Sequence, residues 1–428
     1  MGAAVVGRFA GLAAALTVTV AANVAVAVLA GLAGMVAGQP ALGSFTAGMA
    51  TGGLGIVFAG VAAVTVQLAS TTRGASGLAA TVLGVAFLVS GVGNMLGHVD
   101  ASGLRLVSAW PAWLSPLGWG EQMRAFGGDD RWPLVLFGLA FVALVGIAGL
   151  LAARRDVGSG ILAQRRGAAE ASPRLLSPFG LVWRLQRNAL LGWTGAMAGF
   201  GIVFGAISDE MKDLQGAAAE FYARMGGSEI ALDAYWTSAI EMAGMAVAIY
   251  TVQILLRMRA EEADGRVESV LAASVSKPRW VVAYLLNAGL GVVLVLLAFA
   301  VSMSLAAGAV VGGTLAQLPS LVPASLAQLP AVMVLAGVVV ALTALLPRFA
   351  GALSWALLLL AILLGPMFGA AMLQLPDRAQ EMSPFTHTPK LPGAEFAAAP
   401  ILGLIVTAAV LVLVGVAFFR HRNVALPT

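Results

Sequence analysis

Apolar residues in this chain neither alternate nor recur every third or fourth position; they run on for 19 to 29 residues at a time, broken by short polar or Gly- and Pro-rich segments. Ten such stretches can be read: 9–37, 46–69, 76–96, 132–152, 189–207, 235–256, 281–308, 325–346, 350–373 and 397–418. About 20 apolar residues coiled as a helix cover the roughly 30 Å of a bilayer's hydrocarbon. In hydrocarbon only helices and closed barrels satisfy every backbone N–H and C=O. Without period-two alternation the pattern predicts an all-α polytopic membrane protein of about ten transmembrane helices. The first stretch is longer than the roughly 7 to 15 apolar residues of a signal sequence and further spans follow it, so it is expected to stay.

Composition narrows the chemistry. Of 428 residues 60% are hydrophobic and 10% charged, against about 25% charged in a soluble domain, which excludes a water-soluble enzyme. There is no Cys, and the three histidines, His98, His387 and His421, lie far apart in sequence, so neither a thiolate site nor a clustered metal site is expected. No G-x-x-x-x-G-K-[ST] phosphate loop is present, nor H-E-x-x-H or G-x-S-x-G. The chain is therefore read as a non-enzyme that cannot hydrolyse ATP unaided.

Charge orients the spans. With the N-terminus in the cytoplasm, 17 of the 24 cations fall on the inner side, as the positive-inside rule requires; both termini are then cytoplasmic. The basic residues are spread along the inner face, where anionic lipid accounts for them, and no nucleic-acid partner is implied.

The chain also resembles itself. Val5–Phe9 is similar to Val275–Trp280, Val57–Val61 to Val334–Val338, Ser115-Pro116-Leu117 to Ser383-Pro384-Phe385, and Arg155-Asp156-Val157 to Arg422-Asn423-Val424. These matches define two parallel pseudo-repeats of four plus six spans. We divide the chain into a first transmembrane half, 1–160, a cytoplasmic linker with an interfacial helix, 161–188, and a second half, 189–428, with a charged inner loop at 257–280.

Four segments carry candidate chemistry. The loop 257–280 holds Arg259, Glu261, Glu262, Gly265, Arg266, Glu268, Lys277 and Arg279. It reads as helix, break at Gly265 and helix, restarting at Pro278, a shape that docks into a partner's groove; the plainer reading is a solvated loop with helical pairs such as Glu262 with Arg266. In 177–188, Ser177 is an N-cap candidate ahead of Pro178, and Trp183, Arg184 and Arg187 fit a short helix lying at the inner interface or simply the flank of the next span. The outer segments 97–131 and 374–396, rich in Pro and Trp, suit short helices at the headgroup level, either gating an exit route or capping the bundle. Glu241, about two turns inside its span, is an acid whose burial costs roughly 2.5–3.5 kcal/mol near the bilayer centre. It reads as a contact for a cationic substrate, a proton carrier, or an acid hydrated from the outer surface; Tyr235 and Trp236 are placed with it along a substrate path. Asn23, Gln67, Gln253 and Asn287 suit interhelical hydrogen bonds, and Gly48–Gly52 and Gly195–Gly199 close helix approach.

Arg259-Ala-Glu-Glu-Ala-Asp-Gly-Arg266, Val275-Ser-Lys-Pro-Arg-Trp280, Ala327-Gln-Leu-Pro-Ala-Val332, Ser383-Pro-Phe-Thr-His387 with Pro389-Lys-Leu-Pro-Gly393, and Leu185-Gln-Arg-Asn-Ala-Leu-Leu-Gly-Trp193 together resemble the permease subunits of bacterial type-two ABC exporters, most closely exporters of polyketide antibiotics. The resemblance covers nearly the whole chain. It implies a permease in the bacterial plasma membrane that moves an amphiphilic compound outward, with ATP and Mg on a separate ABC ATPase, two copies of which contact the inner loops. On that resemblance 257–280 is a coupling region and 177–188 the connecting helix. It also leads us to expect two further spans and a charged inner segment ahead of Met1. The alternative is an ion-coupled secondary multidrug transporter in which Glu241 carries protons.

Overall fold

The computed structural model describes residues 9–100, 106–154, 172–212, 215–228, 230–272, 275–394 and 396–422. The repeat landmarks Val5–Arg8, Arg155–Val157 and Asn423–Val424 and the linker residues 161–171 lie outside these. Among the described residues ten helical segments are long and apolar enough to cross a membrane, so the protein is an all-α polytopic membrane protein. The chain divides into two compact units, 1–168 and 169–428.

The first unit contains α1 (Ala10–Val36), α2 (Ala41–Leu68), α3 (Thr72–Met95), α4 (Pro116–Gln122) and α5 (Pro133–Ala153). Helix α2 is its spine. Gly48 and Gly52 bring α2 onto α1 so closely that a Cβ at Gly48 would lie 2.2 Å from the Ala27 carbonyl oxygen, the close packing small residues permit. On its other side Val57 packs with Phe137 of α5 and Met123. Between α3 and α5 run a two-residue ladder, β1 (His98–Val99) with β2 (Leu106–Val107), a 3₁₀ turn (Trp110–Leu114) and α4.

The second unit contains α6 (Pro178–Ala206), α7 (Gly216–Gly226), α8 (Ala231–Ala263), α9 (Arg266–Ala272), α10 (Lys277–Val311), α11 (Leu318–Leu326), α12 (Leu329–Leu345), α13 (Ala350–Leu364), α14 (Asp377–Gln380) and α15 (Ala398–His421). Most of α8 is buried among its neighbours. Its 33 residues reach about 50 Å at 1.5 Å per residue, well beyond the hydrocarbon. Helix α10 packs along α6 through Gly201 and Gly205, whose added Cβ atoms would meet the Phe299 and Met303 carbonyl oxygens at 2.4 Å. The expected Gly195 spacing is not the one used: Gly195 has open space around it.

Three further expectations are corrected. Residues 177–188 are not a separate interfacial helix. Ser177 Oγ accepts from the Gly180 N–H as the cap, Pro178 follows, and one 29-residue helix continues to Ala206, because nothing before Gly192 breaks it and its start is fastened to other helices by Gln186 and Arg257. The stretch 350–373 is broken at Gly365-Pro366, where proline lacks the donor a helix needs, and continues as a wide π turn over Pro366–Met372. The stretch 325–346 begins earlier, with α11 and α12 in line.

Segments 97–131 and 374–396 contain the expected short helices, and each is bonded into its neighbouring long helix. Ser115 Oγ donates to the Ala86 carbonyl of α3 at 2.7 Å and caps Leu117; Ser383 Oγ donates to the Ala361 carbonyl of α13 at 2.7 Å and caps Phe385. Ala86 lies nine residues inside the end of α3 at Met95, about 14 Å by helical rise. The same Ser-Pro device thus recurs within each unit. The units differ elsewhere: α1 packs mainly on α2, whereas its repeat counterpart α10 packs on α6 and α8.

Candidate functional site

The densest charge cluster forms where α8 leaves the bundle. Helix α8 runs to Ala263, Gly265 turns the chain with φ +71°, α9 follows, and Pro278 opens α10 after Lys277. A left-handed φ is costly for any residue with a Cβ, so Gly265 fixes the break the sequence predicts. The first helical part of the loop is the end of α8 itself.

Two acids lie inside the cluster. Glu261 pairs with Arg266 at 2.7 Å and Arg257 at 3.4 Å. Glu262, 1% exposed, pairs with Arg422 beyond the end of α15 and stands 4.0 Å from Arg259. The expected Glu262–Arg266 pair is therefore not made; Arg266 turns to Glu261 and Asp264.

The cations extend the cluster to other helices. Arg257 Nη1 donates to the Leu185 carbonyl of α6 at 2.7 Å, and Arg259 Nε to the Pro347 carbonyl after α12 at 2.9 Å. Arg422 Nη1 donates to the Thr343 carbonyl of α12 at 2.5 Å, its guanidinium lies 5.3 Å from the Phe419 ring centre, and its own carbonyl accepts from Lys277 Nζ at 2.6 Å. Burial pushes the Arg422 guanidinium below its ordinary value; Glu262 opposes that shift and Arg259 adds to it. One carboxylate and one guanidinium thereby join α8, α12 and α15, and Lys277 ties α10 to the Arg422 backbone carbonyl. Outside the cluster Glu268 and Arg279 are exposed, and Val267 anchors α9 in the core. Replacing Glu261, Glu262 and Arg266 together would thus disturb packing as well as any docking surface.

Arg422 was read in the sequence as an inner cation and as the repeat counterpart of Arg155. Nothing local marks it as the partner of a residue 160 positions away.

The second set of candidates is also closed. Tyr235 and Trp236 do not line an open path: they are 2% and 5% exposed, the Tyr235 hydroxyl donates to the Phe204 carbonyl at 2.8 Å, and Trp236 Nε1 donates to Ser208 Oγ at 3.0 Å. Glu241 is 1% exposed, and neither carboxylate oxygen has a hydrogen-bond partner among the described residues. That excludes hydration from the outer surface in this conformation. In 177–188, Arg184 and Arg187 are exposed while Trp183 is half-buried against the core. Trp183 and Arg187 border a cavity of about 310 Å³ with Leu190 and Leu294; a second cavity, about 410 Å³, lies in the first unit between α1, α2 and α5, lined by Leu16, Thr19, Ala63, Gln67 and Ala152. Of the uncharged polar candidates, Gln253 and Asn287 bond between helices, to Trp193 and the Phe179 carbonyl, whereas the Asn23 amide donates within its own helix.

The cluster around α8 and α9 falls within the region that a family model recognises. The model described as "Multidrug efflux system permease Rv1217c, C-terminal domain" matches residues 175–420. The Multidrug efflux system permease protein Rv1217c of Mycobacterium tuberculosis is 36% identical over 426 residues, covering 98% of this chain and 75% of that protein.

Proposed function

The chain belongs to the family of the Rv1217c multidrug efflux permease, and from that membership we propose that it is the transmembrane subunit of an ATP-driven exporter. It moves amphiphilic, antibiotic-like compounds outward across the bacterial plasma membrane. ATP and Mg bind a separate ABC ATPase, two copies of which act on the membrane subunit. The observation that carries this reading is α9, a short helix with an exposed acidic and basic rim, seated on its buried Val267 between two helices of 33 and 35 residues.

Such a mount suits mechanical work. A push on α9 is taken up by Arg266 and Glu261 and passed through Arg257 to α6; the neighbouring Glu262 and Arg422 carry it to α12 and α15. Dimerisation of the ATPases on ATP would supply the push, and the helices would shift to open the substrate path outward. The concentration of cations on this side supports a cytoplasmic placement for α9 and both termini.

The test uses the tagged full chain purified gently from its native host. An ATPase subunit bearing a phosphate loop is expected to come with it. Charge reversal at the exposed Glu268 and Arg279 (E268K with R279E) should cut that recovery at least tenfold and leave the unfolding temperature unchanged. Wild-type recovery and drug export by the variant would refute the docking role. Export that persists in ATP-depleted vesicles but stops when the proton gradient is collapsed would favour the ion-coupled alternative.

A further inference from the structure

Buried polar atoms in proteins are nearly always hydrogen-bonded, so a group of them without partners calls for a reason. Glu241 offers two such oxygens; Gln328 Oε1 and Ser325 Oγ are likewise buried and without partners among the described residues. Gln328 is 1% exposed and Ser325 0%, and they stand three residues apart where α11 passes into α12. Gln328 Oε1 lies against Gly244, 2.7 Å from where a Cβ would sit. Gly244 is three residues from Glu241 and hence on the same face of α8. Any side chain at Gly244 would displace the amide from that face.

The other flank of Glu241 is covered by the loop carrying Lys390. Thr237, four residues before Glu241 and on the same face, accepts the Gly393 N–H at 3.3 Å. The Lys390 stem crosses Gly227, where a Cβ would come within 2.6 Å of it. No hydrogen bond joins Lys390 to the Glu241 carboxylate. The stretch of α8 around Glu241 therefore carries acceptor oxygens, one ionisable carboxyl and a lysine on the covering loop that makes no hydrogen bond to it. A proton on Glu241 would turn one oxygen into a single donor, enough for one of the neighbouring acceptors, and would leave the others without a partner. An ammonium group, with two or three N–H donors and a positive charge, matches acceptors of this kind, and charge-assisted bonds in a dry site are the strong ones.

We propose that Glu241, with Gln328 and Ser325, binds the ammonium group of a transported amphiphilic amine, and that the positive charge of Lys390 on the covering loop opposes this binding. The proposal rests on the drug-exporter reading and specifies its substrate class. The closed packing described above is the state before α8 parts from α11 and α12.

The test measures binding of a matched pair of fluorescent probes to the purified full chain in lipid nanodiscs. Dansylcadaverine carries a primary ammonium; N-pentyl dansylamide has the same body without it. Wild type should bind the amine at least tenfold more tightly. E241Q should abolish that preference and leave the neutral probe unchanged, E241D should restore most of it, and K390M, on the half-exposed loop, should tighten the amine. Equal binding of both probes by wild type, as expected of a carboxyl that only carries a proton, overturns the proposal and leaves the exporter reading intact, as does equal weakening of both probes by E241Q. Failure of wild type to bind either probe removes the exporter reading and the proposal with it.

Discussion

The pair formed by Glu262 and Arg422 offers the sharpest test of how the second unit is held together. The perturbation is a double-mutant cycle of E262L, R422M and both. Glu262 is 1% exposed, and the Arg422 side chain 16%, so Glu262 cannot recover hydration when its partner is lost and Arg422 recovers it only in part. Removing one member of a buried pair typically costs about 3–5 kcal/mol. In E262L the guanidinium keeps the Thr343 carbonyl at 2.5 Å and the Phe419 ring at 5.3 Å, so the cost should sit near the lower end, about 3 kcal/mol. In R422M the carboxylate keeps only Arg259 at 4.0 Å, and its second oxygen has no hydrogen bond. That cost should be about 4 kcal/mol.

The double variant replaces both charges with apolar groups, a change that is often close to neutral. It should lose no more than about 2 kcal/mol, because the Thr343 hydrogen bond and the Phe419 ring contact go, each worth about 1 kcal/mol, while the Lys277 bond to the backbone carbonyl stays. Thermal unfolding of the full chain in detergent reads these values at roughly 2–4 °C per kcal/mol for a unit of this size. The singles should thus fall by about 6–16 °C and the double by less than either. If the double falls by the sum of the singles, with coupling below about 0.5 kcal/mol, the two residues are not a pair and the proposed path from α9 to α15 has no physical link.

Two further outcomes follow from packing. G201L should push α10 away from α6, since even a Cβ there meets the Phe299 carbonyl oxygen at 2.4 Å, and should cost about 1–3 kcal/mol or more, whereas G195L, facing open space, should leave the unfolding temperature within about 2 °C of wild type. S115A and S383A each remove a 2.7 Å bond and a helix cap; each should cost about 1–2 kcal/mol, and loss from one alone would show that the two short outer helices are not equivalent.

Spans were legible because a bilayer imposes one length and one polarity on every crossing element, and local devices were legible where one residue decides the backbone: Gly265 at a left-handed turn, and Ser177 with Pro178 at a helix start. What lay beyond one turn was not. The run from Phe179 to Arg187 has the same composition whether it lies on a membrane or prolongs a span, and the choice is made by Gln186 and Arg257 reaching across to backbone carbonyls. Among 52 glycines, only the rotation of α6 against α10 selects Gly201 and Gly205 over Gly195. Tyr235 and Trp236 have the amphipathic character of interface residues, yet their polar ends are taken by Phe204 and Ser208.

Arg422 and Glu241 show the same limit from opposite sides. Periodicity cannot mark a cation as structural when its acid is 160 residues away, so its sequence context offers only the orientation signal shared by every basic end. An acid within a span stands out at once, but whether it is hydrated, paired or held without a partner depends on Gln328 and Lys390, which come from two other parts of the chain. Glu241 and Glu262, both on α8, are equally buried, and they differ in what surrounds them. Glu262 meets a guanidinium that ties three helices together; Glu241 meets none. Burial alone therefore does not separate a structural charge from a functional one, whereas the presence or absence of a resident hydrogen-bonded cation does.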